Sequence, residues 1–72
     1  MRKTFELKDL DCANCAAKME RAIEKMKEVN EVSVNYFTQK LIIDIDDGIF
    51  DETMKTVIEK IRRVEPDCRV IM

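Results

Sequence analysis

The chain has 72 residues, enough for one small domain, read here as spanning residues 1–72. Its 46% hydrophobic and 39% charged residues fit a globular chain rather than a disordered one. The net charge of −2 comes from 13 basic and 15 acidic residues, interspersed and without a basic patch carrying aromatics, so nucleic acid is not an expected partner.

No apolar run approaches the roughly 18 residues that span a bilayer. Met1-Arg2-Lys3-Thr4-Phe5-Glu6 lacks the apolar core of a signal peptide. The segment is therefore expected to stay out of the membrane and to be cytoplasmic, either alone or as one end of a membrane protein. The three cysteines are an odd number, which argues for reduced, functional thiols rather than a disulfide scaffold. There is no histidine, which weakens any hydrolase reading.

In chain order, Lys3 to Lys8 alternates, with Phe5 and Leu7 on one face, and reads as a half-buried strand. Asp9 to Asn14 is polar and turn-prone apart from Leu10. From Cys15 the period becomes helical. Ala16, Met19, Ala22, Ile23 and Met26 form an apolar stripe, with Asn14 as the expected N-cap. Glu31 to Phe37 and Lys40 to Asp46 alternate again and read as a hairpin across Thr38-Gln39. Asp51 is the expected N-cap of a second helix, with Phe50 stapling onto it. That helix carries the stripe Met54, Val57, Ile58, Ile61 and Val64 and stops at Pro66. Asp67 to Met72 is a last strand, with Cys68, Val70 and Met72 on one face.

This order, βαββαβ, predicts an α+β ferredoxin-like fold. Its four-stranded antiparallel sheet, in order 4-1-3-2, carries both helices on one face. Cys12 and Cys15 fall between the first strand and the first helix, and Cys68 is expected in the core. Unpaired N–H groups at the helix start favour negative charge, so both thiols are expected to ionise more easily than a free cysteine. The spacing suits a soft metal ion or a redox disulfide. Thiol–disulfide exchange lacks the larger α/β setting of thioredoxin-like motifs, and a closed zinc site lacks its four Cys or His ligands. Asp11 precedes Cys12 and offers a carboxylate. Two thiolates alone suffice for Cu(I), whereas two thiolates with a carboxylate suit a divalent ion better. Glu65 and Asp67 read as surface charge.

The element order with Cys12-x-x-Cys15 at the first strand–helix junction resembles the heavy-metal-associated domain. The family includes small copper chaperones and N-terminal domains of heavy-metal P-type ATPases. Its usual Gly-Met-x-Cys-x-x-Cys stands here as Asp9-Leu10-Asp11-Cys12-Ala13-Asn14-Cys15. The resemblance makes Cys12 and Cys15 metal ligands and Leu10 a buried support for the loop. Asp11 before Cys12 resembles the zinc/cadmium/lead-exporting branch, in which that Asp is a third ligand. The implied cargo is Zn²⁺, Cd²⁺ or Pb²⁺, delivered to the rest of a membrane ATPase or taken from a soluble donor. The implied domain catalyses nothing itself. The alternative is a free-standing metallochaperone, with Cu⁺ as its ion.

Overall fold

The structure, a computed structural model, describes residues 1–71; the expected inward place of Met72 lies outside them. The elements are β1 (Arg2–Lys8), α1 (Ala13–Glu24), β2 (Val29–Asn35), β3 (Lys40–Ile45), a single 3₁₀ turn (Asp47–Ile49), α2 (Phe50–Val64) and β4 (Arg69–Ile71). The sheet runs β2-β3-β1-β4 with every neighbouring pair antiparallel. This is the expected ferredoxin-like topology.

Alternation decides which sheet face is covered. Phe5 and Leu7 of β1 and Leu41, Ile43 and Ile45 of β3 are buried. Their neighbours Thr4, Glu6 and Ile42 face water. The two helices cover the inner face with Ala16, Met19 and Ile23 from α1 and Phe50, Met54, Val57 and Ile61 from α2. A one-residue slip of either central strand would turn its apolar set to solvent, so this pattern holds the register. The β2 edge is partly closed by a side chain: Glu20 of α1 accepts from the Val34 backbone N–H at 3.0 Å.

Helix starts differ from expectation. Asn14 lies inside the first turn of α1, and Cys12 is the N-cap, with extended backbone and its Sγ accepting from Cys15 N–H at 3.2 Å. Asp51 does not cap α2; the 3₁₀ turn feeds directly into that helix and buries Phe50 as its first residue. Asp51 and Glu52 instead sit in the first turn, where their charge complements the helix dipole. Past Val64 the chain turns, with Cys68 N–H bonded to the Glu65 carbonyl at 3.1 Å, and β4 is accordingly shorter than its alternation suggested.

The pairing brings three connections to one end of the sheet. Lys8 of β1 lies opposite Arg69 of β4, and Glu6 lies opposite Lys40 of β3. The β1–α1 loop, the β2–β3 turn and the α2–β4 turn are therefore neighbours.

Candidate functional site

Cys12 and Cys15 meet at that end. As N-cap, Cys12 occupies the place usually taken by Ser, Thr, Asp or Asn, whose oxygen would accept the N–H three residues on. Here a sulfur accepts it. The first turn of α1 contains no acidic residue, so this sulfur is its own source of negative charge at the positive end of the helix.

The two thiols do not share one ionisation behaviour. Cys12 is held below its usual value, first by the hydrogen bond from the Cys15 side chain and then by the Cys15 and Asn14 backbone N–H groups. Cys15 is pushed up, first because it keeps the proton shared with Cys12, then by burial and by the nearby charges of Cys12 and Glu65. The expectation that both thiols ionise readily holds for Cys12 and fails for Cys15. Cys15 N–H is spent on Cys12, and Cys15 faces a carboxylate.

That carboxylate is Glu65, the C-cap residue of α2, whose Oε2 lies 4.0 Å from Cys15 Sγ. A tetrahedral zinc ion with Zn–S near 2.3 Å and Zn–O near 2.1 Å places its sulfur and oxygen ligands about 3.6 Å apart. Glu65 is thus within a small side-chain adjustment of sharing an ion with Cys15. From the sequence alone it is expected to be surface charge. The available signal was its position before Pro66, at the turn that returns to the cysteine end.

Asp11 is exposed and lines a shallow cleft with Asp9, Pro66, Asp67 and Arg69. Among the described residues, no three His, Cys, Asp or Glu side chains are gathered into a ready-made metal cage. The site is a thiol pair with one carboxylate, Glu65, reaching Cys15 from across the fold, while Asp11 adjoins Cys12 in sequence and lies in the neighbouring cleft. Cys68 is only 1% exposed and lies in the core behind it. Burial, followed by the charges of Glu65, Asp9 and Asp11, pushes its thiol up, so it remains a neutral packing residue.

Leu10 is 2% exposed, in keeping with a buried support for the loop. Asp9, where the family pattern has Gly, adopts φ 61°, in the left-handed region that glycine enters most easily. Asp is among the few other residues that tolerate it. The glycine-like loop conformation therefore survives without the glycine.

No helix among the described residues is long and apolar enough to cross a membrane. The zinc/cadmium/lead-transporting P-type ATPase of Escherichia coli (strain K12) is 40% identical over 48 residues, covering 67% of this chain and 7% of the ATPase. The probable copper-exporting P-type ATPase of Archaeoglobus fulgidus is 37% identical over 60 residues, covering 82% of this chain and 8% of that protein. The chain thus spans less than a tenth of the length of these relatives. The solution structure of the N-terminal domain of ZntA in its apo form superposes with a TM-score of 0.72 at 30% identity, covering 99% of this chain and 92% of that one. The heavy-metal-associated domain profile matches residues 4–66, and this chain belongs to that family.

Proposed function

We propose that this domain binds a soft or borderline divalent ion, Zn²⁺, Cd²⁺ or Pb²⁺, through Cys12, Cys15 and Asp11 and passes it on by ligand exchange. It does so as the cytosolic N-terminal domain of a metal-exporting P-type ATPase, whose catalytic and membrane-spanning parts lie outside these residues. The observation that carries this reading is the thiol pair at one end of the sheet with the Glu65 carboxylate 4.0 Å from Cys15 Sγ; Asp11, next to Cys12 in the chain, supplies a second carboxylate within the same loop. Thiolates bind soft ions, and each added carboxylate favours a dication over Cu⁺, which two sulfurs already satisfy. The printed ion set of the Escherichia coli relative points the same way. Glu65, 4.0 Å from Cys15 Sγ, supports a fuller shell in which it joins Asp11 or replaces it.

Cu⁺ remains the competing cargo, supported by the likeness to a copper exporter. Cadmium titration followed by thiolate-to-metal charge-transfer absorbance separates these readings. Cys12→Ser and Cys15→Ser should each abolish tight binding. Asp11→Ala should weaken Cd²⁺ while leaving Cu⁺ nearly unchanged, and an unchanged Cd²⁺ affinity would remove Asp11 from the shell. Glu65→Ala is judged the same way. The transporter part of the reading is tested by the natural reading frame after Met72. Membrane-spanning helices and an ATP-binding domain are expected there, whereas a stop codon would make this a free-standing carrier.

A further inference from the structure

The turn between β2 and β3 carries a side chain that reaches the metal-binding loop. Gln39 Oε1 accepts from Leu10 N–H at 3.2 Å, and Gln39 Nε2 donates to the Leu10 carbonyl at 2.6 Å and to the Tyr36 carbonyl at 3.0 Å. One side-chain amide therefore takes up both backbone polar groups of Leu10, much as a neighbouring strand would. The pattern also fixes which end of the amide is oxygen, since one end meets a donor and the other meets two acceptors. The turn is held in its own right. Gln39 adopts φ 56°, and its backbone carbonyl accepts from Leu7 N–H at 2.7 Å, extending the β1–β3 ladder.

The consequence falls on the next residue. Leu10 is pinned by the amide and by its buried side chain. Cys12 is pinned as N-cap, through Sγ to Cys15 N–H and through its carbonyl, which accepts from Ala16 N–H at 3.1 Å. Asp11 is the single residue between them. Its backbone is held on both sides, so its carboxylate searches few positions; in the metal-free fold it lines the cleft with Asp9, Pro66, Asp67 and Arg69, one residue from Cys12. A loop ordered before the ion arrives does not have to be ordered by the ion.

We infer that Gln39 is a positioning residue that presents Asp11 to the ion and so sets the preference for a divalent ion over Cu⁺. The inference rests on the proposed role of Asp11. Gln39 makes no hydrogen bond to either thiol; its side chain reaches the metal-binding loop through Leu10. Its loss should therefore weaken an ion that needs the carboxylate and spare one that two sulfurs satisfy.

Gln39→Asn isolates this role. Asn accepts the left-handed backbone at least as well as Gln, so the turn and its bond to Leu7 are kept. Its amide is shorter by one methylene, about 1.5 Å, and cannot reach Leu10. Gln39→Gly serves as a second variant that also suits the turn. The 72-residue chain is titrated with Cd²⁺ alone and, separately, with Cu⁺ alone under reducing conditions. Amide hydrogen exchange is followed at Leu10.

The expected result for both variants is faster exchange at Leu10 and Cd²⁺ affinity lower by about tenfold, with Cu⁺ affinity within about twofold. Combined with Asp11→Ala, the Gln39 substitution should add little further loss for Cd²⁺, because both act through the same carboxylate. If Asp11→Ala weakens Cd²⁺ but Gln39→Asn leaves it within about twofold of the unaltered chain, the inference fails and the proposed shell stands. Equal losses for Cd²⁺ and Cu⁺ would show that Gln39 orders the thiols, which also overturns it. An Asp11→Ala chain with full Cd²⁺ affinity removes the shell itself, and the inference with it.

Discussion

Replacing Leu10 with alanine tests whether the metal-binding loop is anchored in the core or merely laid over it. Leu10 is 2% exposed and packs in the same buried cluster as Leu7, Ala16 and Cys68. Removing most of a buried leucine side chain costs about 2–5 kcal/mol, depending on how far the surroundings collapse into the gap. Leu10 sits at one end of the core, in a loop that can settle, so the lower half of that range applies, about 3 kcal/mol. A chain of this length has a total stability of only about 4–11 kcal/mol, so the substitution removes a large share of it. With a urea slope near 1 kcal/mol/M for a small domain, the midpoint should fall by about 3 M. The assay is urea unfolding of the reduced, metal-free chain, followed by circular dichroism. The Gln39 clamp bonds only backbone atoms of Leu10, so it survives the substitution and does not confound the result. A loss below about 1 kcal/mol would be too small for a fully buried leucine and would refute the anchored-loop argument.

Three further outcomes follow from the same end of the fold. Asp9 holds φ 61°, so Asp9→Gly should be neutral or stabilising, while Asp9→Val should lose about 1–2 kcal/mol; a stable Val variant in the same urea assay would contradict the left-handed assignment. Iodoacetamide at limiting dose and near-neutral pH should label Cys12 first, Cys15 more slowly and Cys68 last, as read by peptide mass mapping; preferential labelling of Cys15 would reverse the ionisation order. The Cys68 thiol is pushed up, so its neutral form is favoured in the fold, and the stability it contributes is full below the unfolded thiol range and declines as pH rises through it. Metal-free Cys68→Val should accordingly lose less stability than the unaltered chain between about pH 8 and 10, and parallel pH curves would show that Cys68 ionises freely in the fold.

Local pattern carried the fold but not its joints. Phe5 with Leu7, and Leu41 with Ile43 and Ile45, alternate cleanly and mark the inner face of the sheet. Met19 and Ile23, then Met54, Val57 and Ile61, mark the buried faces of the helices. What escaped was the start of each helix. Cysteine is not among the usual capping residues, so Asn14 looked the better cap, although Cys12 sulfur takes that role. Asp51 looked like a cap because nothing local announces the 3₁₀ turn before it, which exists to bury Phe50. The site divides the same way. Cys12 and Cys15 announce themselves by spacing and by the switch of period beside them. Glu65 is fifty positions from Cys15 and Gln39 is 29 positions from Leu10. Only the sheet order makes those residues neighbours, and a single sequence offers no local sign of it.

The unequal thiols bear on how an ion would enter and leave. On the proposed function, an arriving ion meets one sulfur that ionises readily, Cys12, and one that must first give up a proton, Cys15. Metal binding at thiols displaces protons, and a proton held more tightly lowers the apparent affinity at neutral pH. The charge of Glu65 helps to hold that proton in the metal-free state. Once a dication is present, the same charge attracts the ion instead. The carboxylate thus opposes loss of the Cys15 proton and favours the arriving ion, and the balance shifts with the charge of the cargo. For Cu⁺ the attraction is weaker and the hard oxygen adds little, so the cost of removing the proton is less well offset. For Zn²⁺, Cd²⁺ or Pb²⁺ it is better offset. Carboxylate ligands are also the ones an incoming thiolate displaces most readily from a soft ion, and the end of the sheet where they sit is uncovered. On the proposed function, selection for a dication and ease of release would then come from the same two side chains, Asp11 and Glu65, which a closed four-cysteine site would not provide.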